Sequence, residues 1–156
     1  MLISKGKGLT IHIVKKFKLA IFTWSGFTLP EVFKAGTIEA LETLRMHPDV
    51  TRIILNTKHH HLVDRNAITS SVNSTVDYLM VAKGNYKMAV VPPDDILAKG
   101  SIDQYIDSLN GTLKKRFIVT KHETMKRAFS SLVMPKICFF LSGKPPTNKL
   151  RSNVFL

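Results

Sequence analysis

The sequence predicts an α/β domain with a mixed, mostly parallel five-stranded sheet and four helices, in the order β-β-α-β-α-β-α-β-α. Three observations support this prediction. Short segments of alternating or continuous apolar residues recur along the chain, as is typical of strands. From the second strand onward, segments with apolar residues at helical spacing separate the strands. Strands that alternate with helices favour parallel pairing through right-handed crossovers.

Five strands are predicted from the apolar pattern. They cover residues 9–14, 19–24, 51–56, 86–91 and 115–120. The first two flank a basic turn and therefore form a hairpin, which adds an antiparallel edge to the sheet. The third has a continuous apolar centre, Ile53 to Leu55, as expected of an interior parallel strand.

Four helices are predicted between and after these strands. They cover about residues 30–46, 64–83, 94 or 95 to 110, and 122–133. Pro30 suits a first helical turn, Asp64 suits an N-cap, and Asp94 or Asp95 can cap the third helix, which Asn110-Gly111 ends. Gly36 lies in the middle of the first helix and costs roughly 1 kcal/mol against alanine. It therefore indicates close packing or a nearby ligand.

Residues 1–134 are predicted to form the domain, and residues 135–156 form a tail that breaks the pattern. The tail holds the apolar run Ile137 to Leu141 and then a basic end. We expect this run to form an extra strand or a dimer contact, because an uncovered apolar strand promotes association. The run is far too short to span a membrane, and the first residues lack the pattern of a signal peptide. With the single cysteine Cys138, this predicts a cytoplasmic protein without disulfides.

The net charge of +12 comes from the two ends of the chain. Residues 1–18 hold five lysines and no acid, residues 114–127 hold six bases and one acid, and residues 128–156 hold four bases and no acid. Such a field attracts anionic partners or keeps a surface solvated. Nucleic acid is not the expected partner, because aromatic residues do not alternate with the bases and no nucleic-acid-binding motif is present.

No catalytic constellation, metal site or cofactor is predicted, and we expect a protein that is not an enzyme. The most conspicuous residues are His59, His60 and His61. In an extended strand, successive side chains point to opposite faces, so the three imidazoles cannot converge on one metal. Cys138 lies in an apolar run, which favours an inert buried thiol over a nucleophile. Glycine-rich phosphate-binding loops and a serine nucleophile elbow are also absent from the sequence.

The predicted sheet nevertheless indicates where a partner or ligand binds. In parallel sheets, ligands gather beyond the carboxyl ends of the strands. The loop over residues 56–66 is the longest and most polar at this edge, and it leads into a helix start that favours an anion. The predicted binding residues are Asn56, Thr57, Lys58, Asp64, Arg65 and Asn66.

Several segments together resemble the SpoIIAA-like branch of the STAS superfamily. They read FTWSGF, LPEVFKAG, RIILNTKHHHLVDRNAI, MAVVPPDDILAKG and KRFIVTKHETMKRAF, and the resemblance covers roughly residues 9–134. It implies a mixed sheet with helices on one side. It also implies a non-enzymatic regulatory module that binds a partner protein, sometimes with a small ligand.

The resemblance also identifies a departure from the family. In anti-sigma-factor antagonists, a serine after an aspartate ahead of the second helix is phosphorylated. Here Asp64 is kept, Arg65 and Asn66 stand at the hydroxyl positions, and Ala67 replaces glycine, so this phosphoregulation is not expected. The same branch has been compared with CRAL-TRIO lipid-transfer domains. An alternative function is therefore binding of an apolar ligand or of an anionic membrane surface.

Overall fold

Six strands form one mixed sheet, and their spatial order is the order of the chain. The structure, a computed structural model, describes residues 1–5, 8–61, 64–113 and 116–134. The strands are β1 Leu2–Lys5, β2 Leu9–Val14, β3 Leu19–Gly26, β4 Arg52–His60, β5 Tyr86–Val91 and β6 Phe117–Lys121. The pairs β1–β2 and β2–β3 are antiparallel, and β3 to β6 pair in parallel. The predicted α/β class with a mostly parallel sheet is confirmed.

Three of the four helices cover one face of the sheet. The helices are α1 Pro30–Met46, α2 Arg65–Val81, α3 Ile96–Leu113 and α4 Met125–Val133. The buried residues of α1, α2 and α3 share one apolar core with alternate residues of the strands. Because β3 to β6 follow one another in one direction across the sheet, right-handed crossovers place all three connecting helices on the same face.

The last helix lies on the opposite face. Leu19, Ile54 and Ala89 point away from the main core, and Ala128 and Leu132 of α4 cover them. The resemblance implied helices on one side of the sheet, and α4 differs from that arrangement. The physical reason is that α4 follows the last strand of the series and is not a connection between two neighbouring strands.

The predicted number of five strands is wrong, because β1 adds a sixth. β1 pairs with β2 at the edge of the sheet, and the amino group of Met1 donates a hydrogen bond to the Ile13 carbonyl at 2.8 Å. Ile3 packs against the core while Leu2 is exposed. Four residues give too short an alternation to separate an edge strand from a loop.

Most other boundaries agree with the prediction. The predicted ranges 9–14, 30–46 and 86–91 are those of β2, α1 and β5. α3 continues past Asn110-Gly111 because Leu113 buries its side chain in the core. The tail, with its predicted extra strand or dimer contact, lies outside the described residues. Within the described residues, no helix has both the length and the apolar character that crossing a bilayer requires.

Gly36 is explained by close packing. A Cβ atom at this position would overlap the Trp24 ring and press on the Leu9 side chain. The indole therefore lies directly on the backbone of α1, in contact with Phe33 at a centroid distance of 4.8 Å. This contact fixes the first helix against the carboxyl-terminal half of β3.

Candidate functional site

The residues predicted to begin a polar loop belong to a strand. β4 continues to His60, because Ser25 and Gly26 of β3 pair with His59 and His60 after a local shift in register. Asn56, Thr57 and Lys58 therefore lie in β4, and the prediction of a loop from residue 56 is wrong. Residues 56–60 show no apolar alternation, because main-chain pairing holds this segment in the sheet without a buried face of aliphatic residues.

Two of these three residues use their side chains in hydrogen bonds within the fold. The Thr57 hydroxyl is fully buried and donates to the Val91 carbonyl at 2.8 Å. The Asn56 side chain accepts from the Lys58 amide at 3.3 Å. Lys58 is half-buried, and its carbonyl accepts from the Asp94 amide at 3.1 Å, which ties β4 to the start of the β5–α3 connection. Of the three, Lys58 is therefore the residue available to a partner.

The other three predicted residues lie at the start of α2. Asp64 is the N-cap, as predicted, and accepts from the amides of Asn66 at 2.9 Å and Ala67 at 3.1 Å. Arg65 and Asn66 are exposed. The cap contacts occupy one Asp64 oxygen, so the groups that this turn offers to a partner are the side chains of Arg65 and Asn66.

The histidine triplet alternates between solvent and core. His59 and His61 are exposed, whereas His60 is 1% exposed and packs against the rings of both Trp24 and Phe33. The ring centroid distances are 5.6 Å and 5.8 Å. This confirms that an extended strand separates neighbouring imidazoles.

His60 is a neutral, buried ring. Its Nε2 shares a hydrogen bond with the buried Thr28 hydroxyl at 3.1 Å, and its Nδ1 has no partner within the described residues. Burial, and secondly the neighbouring His61, lower the pKa of His60 to about 4. His60 thereby fixes the β3–α1 connection to the end of β4 without presenting a charge.

His61 connects the end of β4 to α3. Its Nδ1 lies 3.5 Å from a carboxylate oxygen of Asp95. The other Asp95 oxygen accepts from the amides of Leu97 at 2.8 Å and Ala98 at 3.2 Å, so Asp95, not Asp94, caps α3. The hydrogen bonds from Ala98 and Leu97 are the main reason that the pKa of Asp95 is lowered.

Exposed apolar side chains that no sequence pattern predicted flank the end of β4. Phe27 and Leu29 follow β3, and Ile96 and Leu97 begin α3. Each of the four is more than half exposed. The main-chain contact from the His61 amide to the Gly26 carbonyl at 3.1 Å and the His61–Asp95 contact bring the two pairs to the same edge. In the sequence, these four large apolar residues could be recognised only by their position next to the turn residues Gly26, Asp94 and Asp95.

We call this region the carboxyl-edge surface. It consists of the exposed residues of four segments at the carboxyl ends of the parallel strands: 27–29, 58–61, 64–66 and 94–97. Exposed apolar side chains next to polar groups are typical of a protein-interaction surface.

A small internal cavity lies between the sheet and the three helices α1–α3. Its volume is about 50 Å³. The residues that line it are mainly apolar, with the hydroxyl groups of Thr37, Thr57, Thr75 and Tyr105 among them. Thr75 and Tyr105 share a hydrogen bond at 3.2 Å, and burial raises the pKa of the Tyr105 hydroxyl. This space suits a few water molecules and is far below the roughly 300 Å³ at which ligand pockets begin.

A wider groove of about 650 Å³ lies outside the core between the carboxyl-terminal halves of α1 and α2. Apolar residues such as Ile38 and Val81 line it, together with two acids and two bases, Glu42, Asp77, Arg45 and Lys83. The charges of this groove therefore balance and favour neither an anionic nor a cationic ligand.

The described residues contain no group of three or more histidine, cysteine, aspartate or glutamate side chains that could hold a metal ion. A hydroxyl–imidazole contact exists between Thr120 and His122 at 2.9 Å, at the end of β6. Within the same residues, no carboxylate lies within ion-pair distance of His122. An acyl-transfer triad needs such a group to orient the base.

Comparison with known proteins yields no relative. No family model matches the chain, and neither the curated proteins nor the solved structures provide a match. The resemblance to the STAS superfamily therefore stays a prediction. The exposed residues of the carboxyl-edge surface are the remaining indication of function.

Proposed function

We propose that the chain is a non-enzymatic regulatory or protein-interaction module of the STAS type, and that it binds a partner protein through the carboxyl-edge surface. The observation that carries the proposal is the group of exposed apolar side chains at this edge, Phe27, Leu29, Ile96 and Leu97. Large apolar and aromatic side chains are typical anchors of protein interfaces.

The polar residues of this surface support the same function. Lys58, Arg65 and Asn66 are at least partly exposed, and His59 and His61 add two imidazoles. The carboxylates of Asp64 and Asp95 each accept hydrogen bonds from a helix start. These polar groups can thus donate hydrogen bonds to a partner beside the two apolar pairs, and such polar groups determine orientation more than affinity.

Regulation by phosphorylation at the usual position is not part of the proposal. The hydroxyl residue that this would require is replaced by Arg65 or Asn66 in the first turn of α2. Partner binding is therefore proposed to depend on recognition of the surface alone.

Photo-crosslinking tests this function at single positions. A benzophenone amino acid is placed at position 27 or 96, and at position 81 as a control, because Val81 is equally exposed but lies at the opposite edge. In a lysate of the source cells, we expect one adduct of the same mass from positions 27 and 96 and none from 81. Arg65→Ala should weaken the adduct several-fold. No adduct, or the same adducts from all three positions, would refute the proposal.

The alternative of a bound apolar ligand is less well supported. The internal cavity of about 50 Å³ is too small for a lipid, so α1–α3 would have to move away from the sheet. Native mass spectrometry of the purified chain distinguishes the two functions. A mass that includes a lipid would favour the alternative.

A further inference from the structure

The edge opposite the carboxyl-edge surface is basic. At the amino ends of the parallel strands, on the side of α4, lie the exposed or half-buried side chains of Lys15, Lys16, Lys18, Arg52 and Lys87. Asp49 is an exposed acid of the same edge. Basic side chains from three separate parts of the chain, residues 15–18, 52 and 87, therefore lie at one edge of the sheet. In the sequence, most bases belong to the two ends of the chain.

Main-chain contacts fix these bases next to one another. The amides of Thr51 and Arg52 donate to the Lys18 carbonyl at 3.1 Å, and the Arg52 guanidinium donates to the Phe17 carbonyl at 3.1 Å. Arg52 and Lys87 are direct partners in the β4–β5 register. The two residues therefore hold two positive charges at adjacent positions of neighbouring strands, an arrangement that favours a bound anion.

These cations are not neutralised within the described residues. The ion pairs there join His61 to Asp95, Lys121 to Asp103 and Arg127 to Glu123. None of these pairs includes a base of the amino edge. The positive field of this edge is therefore available to a partner.

Exposed aliphatic side chains lie on the same side of the same edge. Ile118 is the partner of Lys87 in the β5–β6 register, and Met134 directly follows α4. Both are more than half exposed. Phe17, the aromatic residue of this edge, packs against Phe129 of α4 and is not free to stack on a base. Lysines beside aliphatic side chains suit the headgroup region of a bilayer, whereas single-stranded nucleic acid requires aromatic stacking.

From this arrangement we propose that the amino edge binds the surface of an anionic lipid bilayer. Lys15, Lys16, Lys18, Arg52 and Lys87 attract the headgroups, and Ile118 and Met134 enter the headgroup region. The carboxyl-edge surface then faces away from the bilayer and stays open to a partner protein.

Vesicle co-sedimentation of the full chain tests the proposal. We expect binding to phosphatidylcholine vesicles that contain phosphatidylserine, little binding to phosphatidylcholine alone, and loss of binding as salt is raised above about 0.1 M. Each lysine near the surface contributes about fivefold to the partition coefficient. The triple variant Lys15→Gln, Lys16→Gln, Lys87→Gln should therefore reduce binding by about a hundredfold.

A matched variant separates the local surface from the net charge. Lys34, Lys99 and Lys126 are exposed residues near the starts of α1, α3 and α4, at the other edge. Changing these three to Gln removes the same charge and should leave vesicle binding nearly unchanged. Equal losses in the two triple variants, or no dependence on phosphatidylserine, would overturn the proposal.

The aliphatic residues separate a membrane from other polyanions. Ile118→Ser and Met134→Ser, made separately, should each weaken vesicle binding several-fold, while Leu97→Ser should not. Thermal unfolding of each variant verifies that it folds. If duplex DNA binds more tightly than the vesicles and neither serine variant affects binding, the surface is a nucleic-acid site and the membrane proposal is wrong.

Discussion

Gly36 lacks a side chain at the point where the Trp24 indole meets α1. Trp24 is itself buried and packs against the rings of Phe33 and His60, so its ring cannot move aside easily. The glycine therefore has a packing role that overrides its poor helix propensity.

Gly36→Ala should destabilise the protein, although alanine is the better helix former. We expect a loss of about 1–3 kcal/mol in the free energy of unfolding, as for overpacking of a core. Gly100→Ala is the matched control, because Gly100 also lies in a helix and a Cβ there meets no atom within 4 Å. It should stabilise the protein by up to about 1 kcal/mol. Urea unfolding measures both, and stabilisation by Gly36→Ala would contradict the close contact.

His60 should make stability depend on pH. Its pKa is about 4 in the folded protein, against an ordinary value of 6.5, so the unfolded state binds more protons between these values. The free energy of unfolding should therefore fall as the pH falls from 6.5 to 4, by about 3 kcal/mol from this group. Above pH 6.5 both states are neutral, and the effect disappears.

The double variant His60→Phe, Thr28→Val isolates this effect. Phenylalanine keeps a ring in contact with Trp24 and Phe33, and valine removes the hydroxyl that would lose its partner. The pH dependence of the variant should be shallower than that of the wild type, while carboxylates contribute equally to both. His59→Gln, at the exposed neighbour, should retain the wild-type slope. Parallel curves for all three proteins would show that His60 does not carry this dependence.

At the scale of the element, the start of α3 depends on one of two adjacent aspartates. Asp95 accepts hydrogen bonds from two amides of the first turn, whereas the Asp94 side chain accepts none within the described residues. Asp95→Ala should therefore cost about 1 kcal/mol of stability, the usual value of a lost N-cap. Asp94→Ala should cost little, and equal losses in thermal unfolding would refute the assignment of the cap.

The helix and strand patterns predicted most elements, and the failures have physical reasons. Buried alternation identified β2, and helical spacing with Pro30 identified α1. The extension of β4 to His60 could not be predicted, because its polar residues are held by pairing with Ser25 and Gly26. The spacing of apolar residues also does not show on which face of the sheet a terminal helix packs. The expectation from the resemblance, that all helices lie on one side of the sheet, was therefore wrong for α4.

At the scale of the whole molecule, the sequence predicted that the candidate site lies at the carboxyl edge of the parallel strands. It did not predict which residues of that edge are exposed. Arg65 and Asn66 are exposed where expected, whereas Thr57 is buried. Phe27 and Ile96 were not predicted, because isolated apolar residues in a turn or at a helix start have no periodic signal. The convergence of Lys18, Arg52 and Lys87 was not predicted for a different reason, since only the sheet brings these distant cations together.

The agreement between strand order and chain order has a consequence for synthesis on the ribosome. Each newly emerged strand can join the edge of the sheet already formed, because no later strand has to insert between earlier ones. α4 emerges after all six strands, and until then Ile54 and Ala89 have no cover from it. The nascent chain thus passes through a stage in which one apolar face of the sheet is exposed to solvent. A holdase chaperone would act at this stage.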